Sequence, residues 1–368
     1  MEFGTSPPNP LSSEERGSKT PDAFRVPRSP LWLAETAFPL LPLSSEERGT
    51  QRVPRGEVPN PLSRRALLTG FAAMAMPDLA LAARPDPVLP KTPPSFPVGK
   101  GGFAYVEPED SPYSGKRIPV HTYRPRNVDP RKTGRVLFVM HGTLRNGAEY
   151  RDKWMDLADR DGVLLMVPEF TRRDFPGGMY NRGNVRGQDD RTPIPAQAWT
   201  FAVIERLFDY YKKSTGNPLA GYYIYGHSAG GQFVHRLVEF LPTARIVRAV
   251  AANAGYYTLP DRTGDAYPFS LTGTPDADVP AARAVFARPL TVLLGEADTD
   301  PNDPDLYHSP EADKQGMTRF ERGKYFYETA RRAAEREKMP LNWRIRTVPG
   351  VGHSNEKMAP AAARALFD

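Results

Sequence analysis

Tyr222-Tyr223-Ile224-Tyr225-Gly226-His227-Ser228-Ala229-Gly230-Gly231 decides how this chain is read. Four residues of strand character run into Gly-x-Ser-x-Gly, and the apolar spacing of 229–240 then predicts a helix. In that setting the serine sits on a sharp, strained turn between strand and helix. Side chains at 226 or 230 would collide with neighbouring backbone, so glycine is required there. The helix N-terminus also turns backbone N–H groups toward any negative charge that develops beside Ser228.

Outward from this turn, strands and helices alternate. Ile118–Tyr123 alternates like a strand, while 135–140 and 163–168 are continuous apolar runs, as expected of strands buried on both faces. Further strands are expected at 246–252, 290–294 and 343–348. Helices are expected at 147–160, 199–213, 317–337 and 355–367. This order predicts a mostly parallel central sheet with helices on both faces, and ligands in such sheets sit beyond the carboxyl ends of the strands.

The residues just past each strand therefore carry the chemistry. His141-Gly142-Thr143 follows one buried strand, and the backbone N–H groups of Thr143 and Ala229 are the expected oxyanion donors. His141 itself reads as structural. After 290–294 come Glu296, Asp298, Asp300 and Asp303; Gly-x-x-Asp spacing favours Asp298 as the acid that orients an imidazole. After 343–348 comes Pro349-Gly350-Val351-Gly352-His353, and His353 is the expected general base. His308 is its rival, whereas His121 and His235 fall inside elements and read as packed. Ser228, Asp298 and His353 follow one another in an order that differs from the two well-known protease orders.

With these residues in view, 101–368 resembles the α/β-hydrolase superfamily. The His-Gly loop, the Gly-His-Ser-Ala-Gly-Gly turn and the Pro-Gly-Val-Gly-His ending resemble its poly(3-hydroxybutyrate) depolymerase and feruloyl esterase branch. Enzymes of that branch often carry Cys after His-Gly, where this chain has Thr143. The resemblance implies an α/β-hydrolase fold with small lid insertions. It also implies hydrolysis of carboxylic esters through an acyl-enzyme, on a small-molecule or polymeric ester such as a polyester or feruloyl-type ester. A serine peptidase of the same fold and an inactive hydrolase-like binding protein are the other readings. Arg172–Pro195 is either a lid and acyl-pocket wall or a solvated loop, and 258–286 reads as a second insertion. Tyr180, Trp199 and Tyr256 are the candidate substrate-binding residues.

The chain has 368 residues, 39% hydrophobic and 25% charged, with net charge +6 and no cysteine. Disulfides and thiolate chemistry are thereby excluded. Basic residues form no sustained stripe with interleaved aromatics, which argues against nucleic acid as a partner. No metal cluster, Walker loop or dinucleotide fingerprint appears, and no cofactor is expected. Oligomeric state is left open.

Of the 40 prolines, 18 lie in residues 1–100. Leu-Ser-Ser-Glu-Glu-Arg-Gly occurs at both 11–17 and 43–49, so 1–62 reads as a disordered repeat or a non-native extension. With Arg64-Arg65, a short apolar run and Ala80-Leu81-Ala82, 63–83 resembles a twin-arginine-type export signal, too short for a permanent membrane anchor; the other reading is a chance arginine pair on an amphipathic segment. Residues 84–100 read as a Pro-rich linker. A periplasmic or secreted protein is expected, beginning near Ala83 or Arg84. N-terminal sequencing of exported material checks this; residues 1–60 found intact there overturn it.

Overall fold

The computed structural model describes residues 95–187, 192–262, 264–274 and 282–368. The expected extension 1–62 and signal 63–83 lie outside the described residues. Among the described residues eight strands form one sheet: β1 (Gly99–Val106), β2 (Arg117–Arg124), β3 (Val136–Met140), β4 (Leu164–Pro168), β5 (Tyr222–His227), β6 (Ile246–Ala252), β7 (Leu290–Gly295) and β8 (Arg344–Val348). Their order is β1-β2-β4-β3-β5-β6-β7-β8. β2 pairs antiparallel with β1 and β4, and the pairings from β4 through β8 are parallel. This is the mostly parallel sheet that the alternation of elements predicts, and it matches the α/β-hydrolase fold that the resemblance implies.

The helices are α1 (Gly147–Asp152), α2 (Met155–Asp161), α3 (Gly178–Asn181), α4 (Phe201–Thr215), α5 (Ala229–Phe240), α6 (Ala282–Phe286), α7 (Pro310–Asp313), α8 (Arg319–Arg336) and α9 (Asn355–Phe367). Side chains alternate across a strand, so each central strand feeds two cores. Phe138, Met140 and Ile224 pack with α4, α5 and α8 through Leu207, Phe233 and Phe326. Leu137, Val139 and Tyr225 pack with α2 and α9 through Ala158, Met358 and Leu366. A buried Phe or Leu contributes ~1.5–3 kcal/mol, so this two-sided burial outweighs strand propensity in holding the centre. β8 lies at the edge of the sheet, where Arg344 and Arg346 place charge on a row of unpaired backbone groups.

Two expectations on extent are corrected. The linker over 84–100 does not reach residue 100. Phe96 is buried, its ring edge-on to Tyr211 at 5.4 Å, and β1 begins at Gly99. The single helix expected over 147–160 breaks at Lys153–Trp154. Trp154 is wholly buried against Tyr225, ring centroids 4.8 Å apart, and seating the indole on the sheet interrupts the helical backbone. The long helix before β8 begins at Arg319 because Thr318 and Glu321 form a capping box.

Three histidines are locked in the core as neutral rings. The N–H at His141 Nδ1 donates to Gly142 O (3.0 Å) and its Nε2 accepts from Phe170 N (3.1 Å). His235 is held likewise between Gly231 O and Thr258 N. Burial holds His141 down at about 3, and it pulls His227 and His235 well below the ordinary imidazole value. These depressed bases take up protons only on unfolding, so stability falls as pH drops below about 6.5. Each ring contributes a slope of up to ~1.4 kcal/mol per pH unit. Urea unfolding followed from pH 7 to pH 5 should show a falling midpoint; an unchanged midpoint would mean the rings protonate in the native state.

Candidate active site

The site lies at the carboxyl ends of β3, β5, β7 and β8. Ser228 joins β5 to α5 with φ 58° and ψ −121°, a conformation that L residues rarely adopt. A Cβ on Gly226 would overlap the Gly230 carbonyl, and one on Gly230 would overlap Met140 O. The serine is tied down by its N–H to Ala252 O (3.0 Å) and its carbonyl to Gln232 N (3.0 Å). Ala229 is the first residue of α5, so its N–H is one of the unsatisfied donors of that helix end.

Asp298 stands in the turn after β7 and His353 in the loop after β8. His353 Nδ1 lies 2.8 Å from Asp298 Oδ2, so the ring donates there and leaves Nε2 for another partner. Asp298 is 5% exposed. Its other oxygen faces Arg319 Nη1 at 3.3 Å, and the same nitrogen reaches Asp303 at 2.7 Å. Asp303 therefore serves the arginine, and its carboxyl is pulled below the usual range chiefly by that hydrogen bond. Asp300 accepts from Asn302 N and Glu296 from Thr347 Oγ1. Asp298 is thus the acid among the four that meets His353. His308 lies between Asp313 Oδ1 (2.8 Å) and Pro301 O (3.0 Å), away from this pair.

Asn253, just past β6, ties the loops together. Its Oδ1 accepts from Gly295 N (2.8 Å) and its Nδ2 donates to Gly352 O (3.2 Å). The ring of His227 lies 4.5 Å from that of His353, and its Nδ1 is 3.3 Å from Tyr150 Oη. His353 is thus seated against the residue next to the serine. Sequence reasoning missed Asn253, Arg319 and the His227–His353 contact. Asn253 has a positive φ of 44°, but nothing in its neighbours along the chain announces the two loops it joins.

A cleft of about 820 Å³ opens beside these residues. Thr143 and Ala229 line it, as do Tyr180 and Tyr256. Arg172, α3 and Arg182 form one wall, which favours the pocket-wall reading of the stretch they belong to. Tyr180 forms the backing of that wall. It is fully buried, donates to His141 O (2.7 Å) and has the Arg145 guanidinium 4.3 Å from its ring. Trp199 is not a lining residue, contrary to expectation. A 3-10 turn at Ala196–Ala198 swings its indole inward, where Nε1 donates to Ile194 O and the ring packs edge-on to Phe240. Among the described residues, Arg145, Arg172 and Arg182 are the cationic lining residues, and Asp305 is the acidic one. Among the described residues no group of three or more His, Asp or Glu side chains is placed to hold a metal ion.

No protein-family model matches the chain, and no curated protein matches it. Solved structures do. Poly(aspartic acid) hydrolase-1 from Sphingomonas sp. KT-1 is 40% identical, with a TM-score of 0.67, over 74% of this chain and 99% of that one. A poly(3-hydroxybutyrate) depolymerase from Bordetella parapertussis is 34% identical, with a TM-score of 0.64, over 72% of this chain and 89% of that one. Fold and identity agree: the chain belongs to the α/β-hydrolase superfamily, in the branch that contains these two polymer hydrolases.

Proposed function

We propose that this protein is a serine hydrolase that cleaves the carbonyl linkages of a carboxylate-bearing polymer through an acyl-enzyme on Ser228. The observation that carries the chemistry is the Asp298–His353 pair at 2.8 Å, with His353 ring to ring against His227, the residue before the strained Ser228. His353 Nε2 takes the proton of Ser228 Oγ as that oxygen attacks the carbonyl carbon. The tetrahedral oxyanion is held by the N–H groups of Thr143 and Ala229. His353 then returns the proton to the departing amine or alcohol, and water attacks the acyl-enzyme by the same steps in reverse. Asp298 orients the ring and balances its transient charge, and Arg319 fixes Asp298 from behind.

Ser228→Ala is expected to lower kcat/KM on p-nitrophenyl acyl esters by ~10⁴-fold or more, and Asp298→Asn by a similar factor. Labelling of Ser228 by a fluorophosphonate, checked by mass spectrometry, is the companion test. Equal rates in parent and Ser228→Ala, with no labelling, would leave the binding-protein reading standing.

The substrate class rests on the cleft. Among the described lining residues, Arg145, Arg172 and Arg182 against Asp305 favour a ligand with repeated negative charge. The relative from Sphingomonas is named for poly(aspartic acid), whose backbone bonds are amides, so the peptidase-type reading comes forward with it. The second reading is a neutral polyester, favoured by the name of the Bordetella relative. Release of new amino groups from poly(aspartic acid), set against release of soluble acids from poly(3-hydroxybutyrate), separates the two. Faster turnover of the acidic polymer, declining with salt, is the expected result; turnover of the polyester alone overturns it.

An exported location fits a polymer too large to enter a cell, and rests on the twin-arginine-type segment 63–83. Among the described residues no helix is long and apolar enough to cross a membrane.

A further inference from the structure

We infer that Arg145 reads a substrate carboxylate next to the scissile carbonyl, as a guanidinium fixed in place before the substrate arrives, while Arg172 and Arg182 add charge without setting specificity. The inference rests on the serine-hydrolase reading above and assigns its anion recognition to one residue.

Arg145 lies two residues beyond Thr143 on the loop after β3 and lines the same cleft as Thr143 and Ala229. A group bound to it is therefore close to the expected oxyanion donors. Its backbone has φ 62°, which is unusual for an arginine and is held by a turn in which Arg145 N donates to Gly142 O (3.2 Å). The side chain is pinned twice more. Nη1 donates to Phe170 O at 2.7 Å, and the guanidinium carbon lies 4.3 Å from the Tyr180 ring. Tyr180 cannot swing away: it is fully buried, bonded to His141 O, and stacked on Phe170 and Phe233.

Among the described residues no carboxylate forms an ion pair with Arg145, and its one side-chain hydrogen bond leaves other N–H groups of the fork available. Burial, and secondarily the nearby Arg172, pull its pKa below the ordinary guanidinium value. A carboxylate arriving in the cleft would relieve both the desolvation and the repulsion, and the fixed planar fork suits its two oxygens. Arg172 differs: it is exposed and reaches Thr143 O at 3.0 Å. Its exposed charge, screened by solvent, steers a polyanion but discriminates little between carboxylate positions.

The test is binding of poly(aspartic acid) to the Ser228→Ala protein, where no turnover intervenes. Adding Arg145→Gln should weaken binding at least ~10-fold, against less than ~3-fold for Arg172→Gln or Arg182→Gln. Arg145→Lys should not restore it, because an ammonium has no plane to lie on Tyr180. Equal losses for all three glutamine variants, or parent-like binding by Arg145→Lys, would make the cleft a diffuse basic patch and overturn the assignment. If Arg145→Gln does not fold, the parent still decides. Succinate should slow fluorophosphonate labelling of Ser228 more than butyrate does at equal concentration, and equal protection overturns the inference. A parent that is never labelled at all defeats the hydrolase reading instead.

Discussion

The close approach of α5 to the ends of the central strands governs this molecule. A Cβ at Gly230 would strike Met140 O at the end of β3, and one at Gly231 would strike Ala252 O at the end of β6. With only hydrogen atoms at these positions, α5 seats directly on the sheet and every residue of it is buried. The strained φ of Ser228 follows from that seating. The chain must leave β5 and enter α5 within one residue, and the surrounding backbone contacts over-determine the turn. The loop after β3, the first turn of α5 and the end of β6 are thereby brought to one point.

Electrostatics then organises the other half of the site. Asp298 is almost fully buried yet has a partner for each oxygen, His353 on one side and Arg319 on the other. A buried carboxylate with a single neutral partner would carry a heavy desolvation cost. Arg319 offsets it from the start of α8, and the capping box at Thr318 and Glu321 fixes where that helix starts. Asn253 adds a neutral clamp between the loops after β7 and β8. The positions of Asp298 and His353 are therefore set by residues from two further elements, none of which touches the reacting atoms.

Around this centre the cleft reuses the arginine-rich stretch past β4. The fold needs Tyr180, Phe170 and Phe233 as packing beneath that wall, and the same aromatic stack supplies the surface on which the Arg145 guanidinium lies. One cluster of rings thus both closes the core and orients a charge in the cleft.

Much of this was legible in the sequence. Val136–Met140 and Leu164–Pro168 announce doubly buried strands because every side chain in them is apolar. The turn at Ser228 is legible because its glycines answer to local backbone sterics, and Asp298 and His353 because each follows a strand within a few residues. What the sequence left open depends on contacts across long separations. Which acid meets His353, Asp298 and not Asp300 or Asp303, depends on the reach of His353 and Arg319. The burial of Trp199 and the break at Trp154 were settled by the space available against Phe240 and Tyr225. Asn253, Arg319 and Arg145 carry no local pattern, since each matters through a partner from a separate element. Local sterics and hydrophobic period belong to neighbouring residues and can be read along the chain, whereas ion pairs, clamps and ring stacks exist only once folding has brought distant residues together.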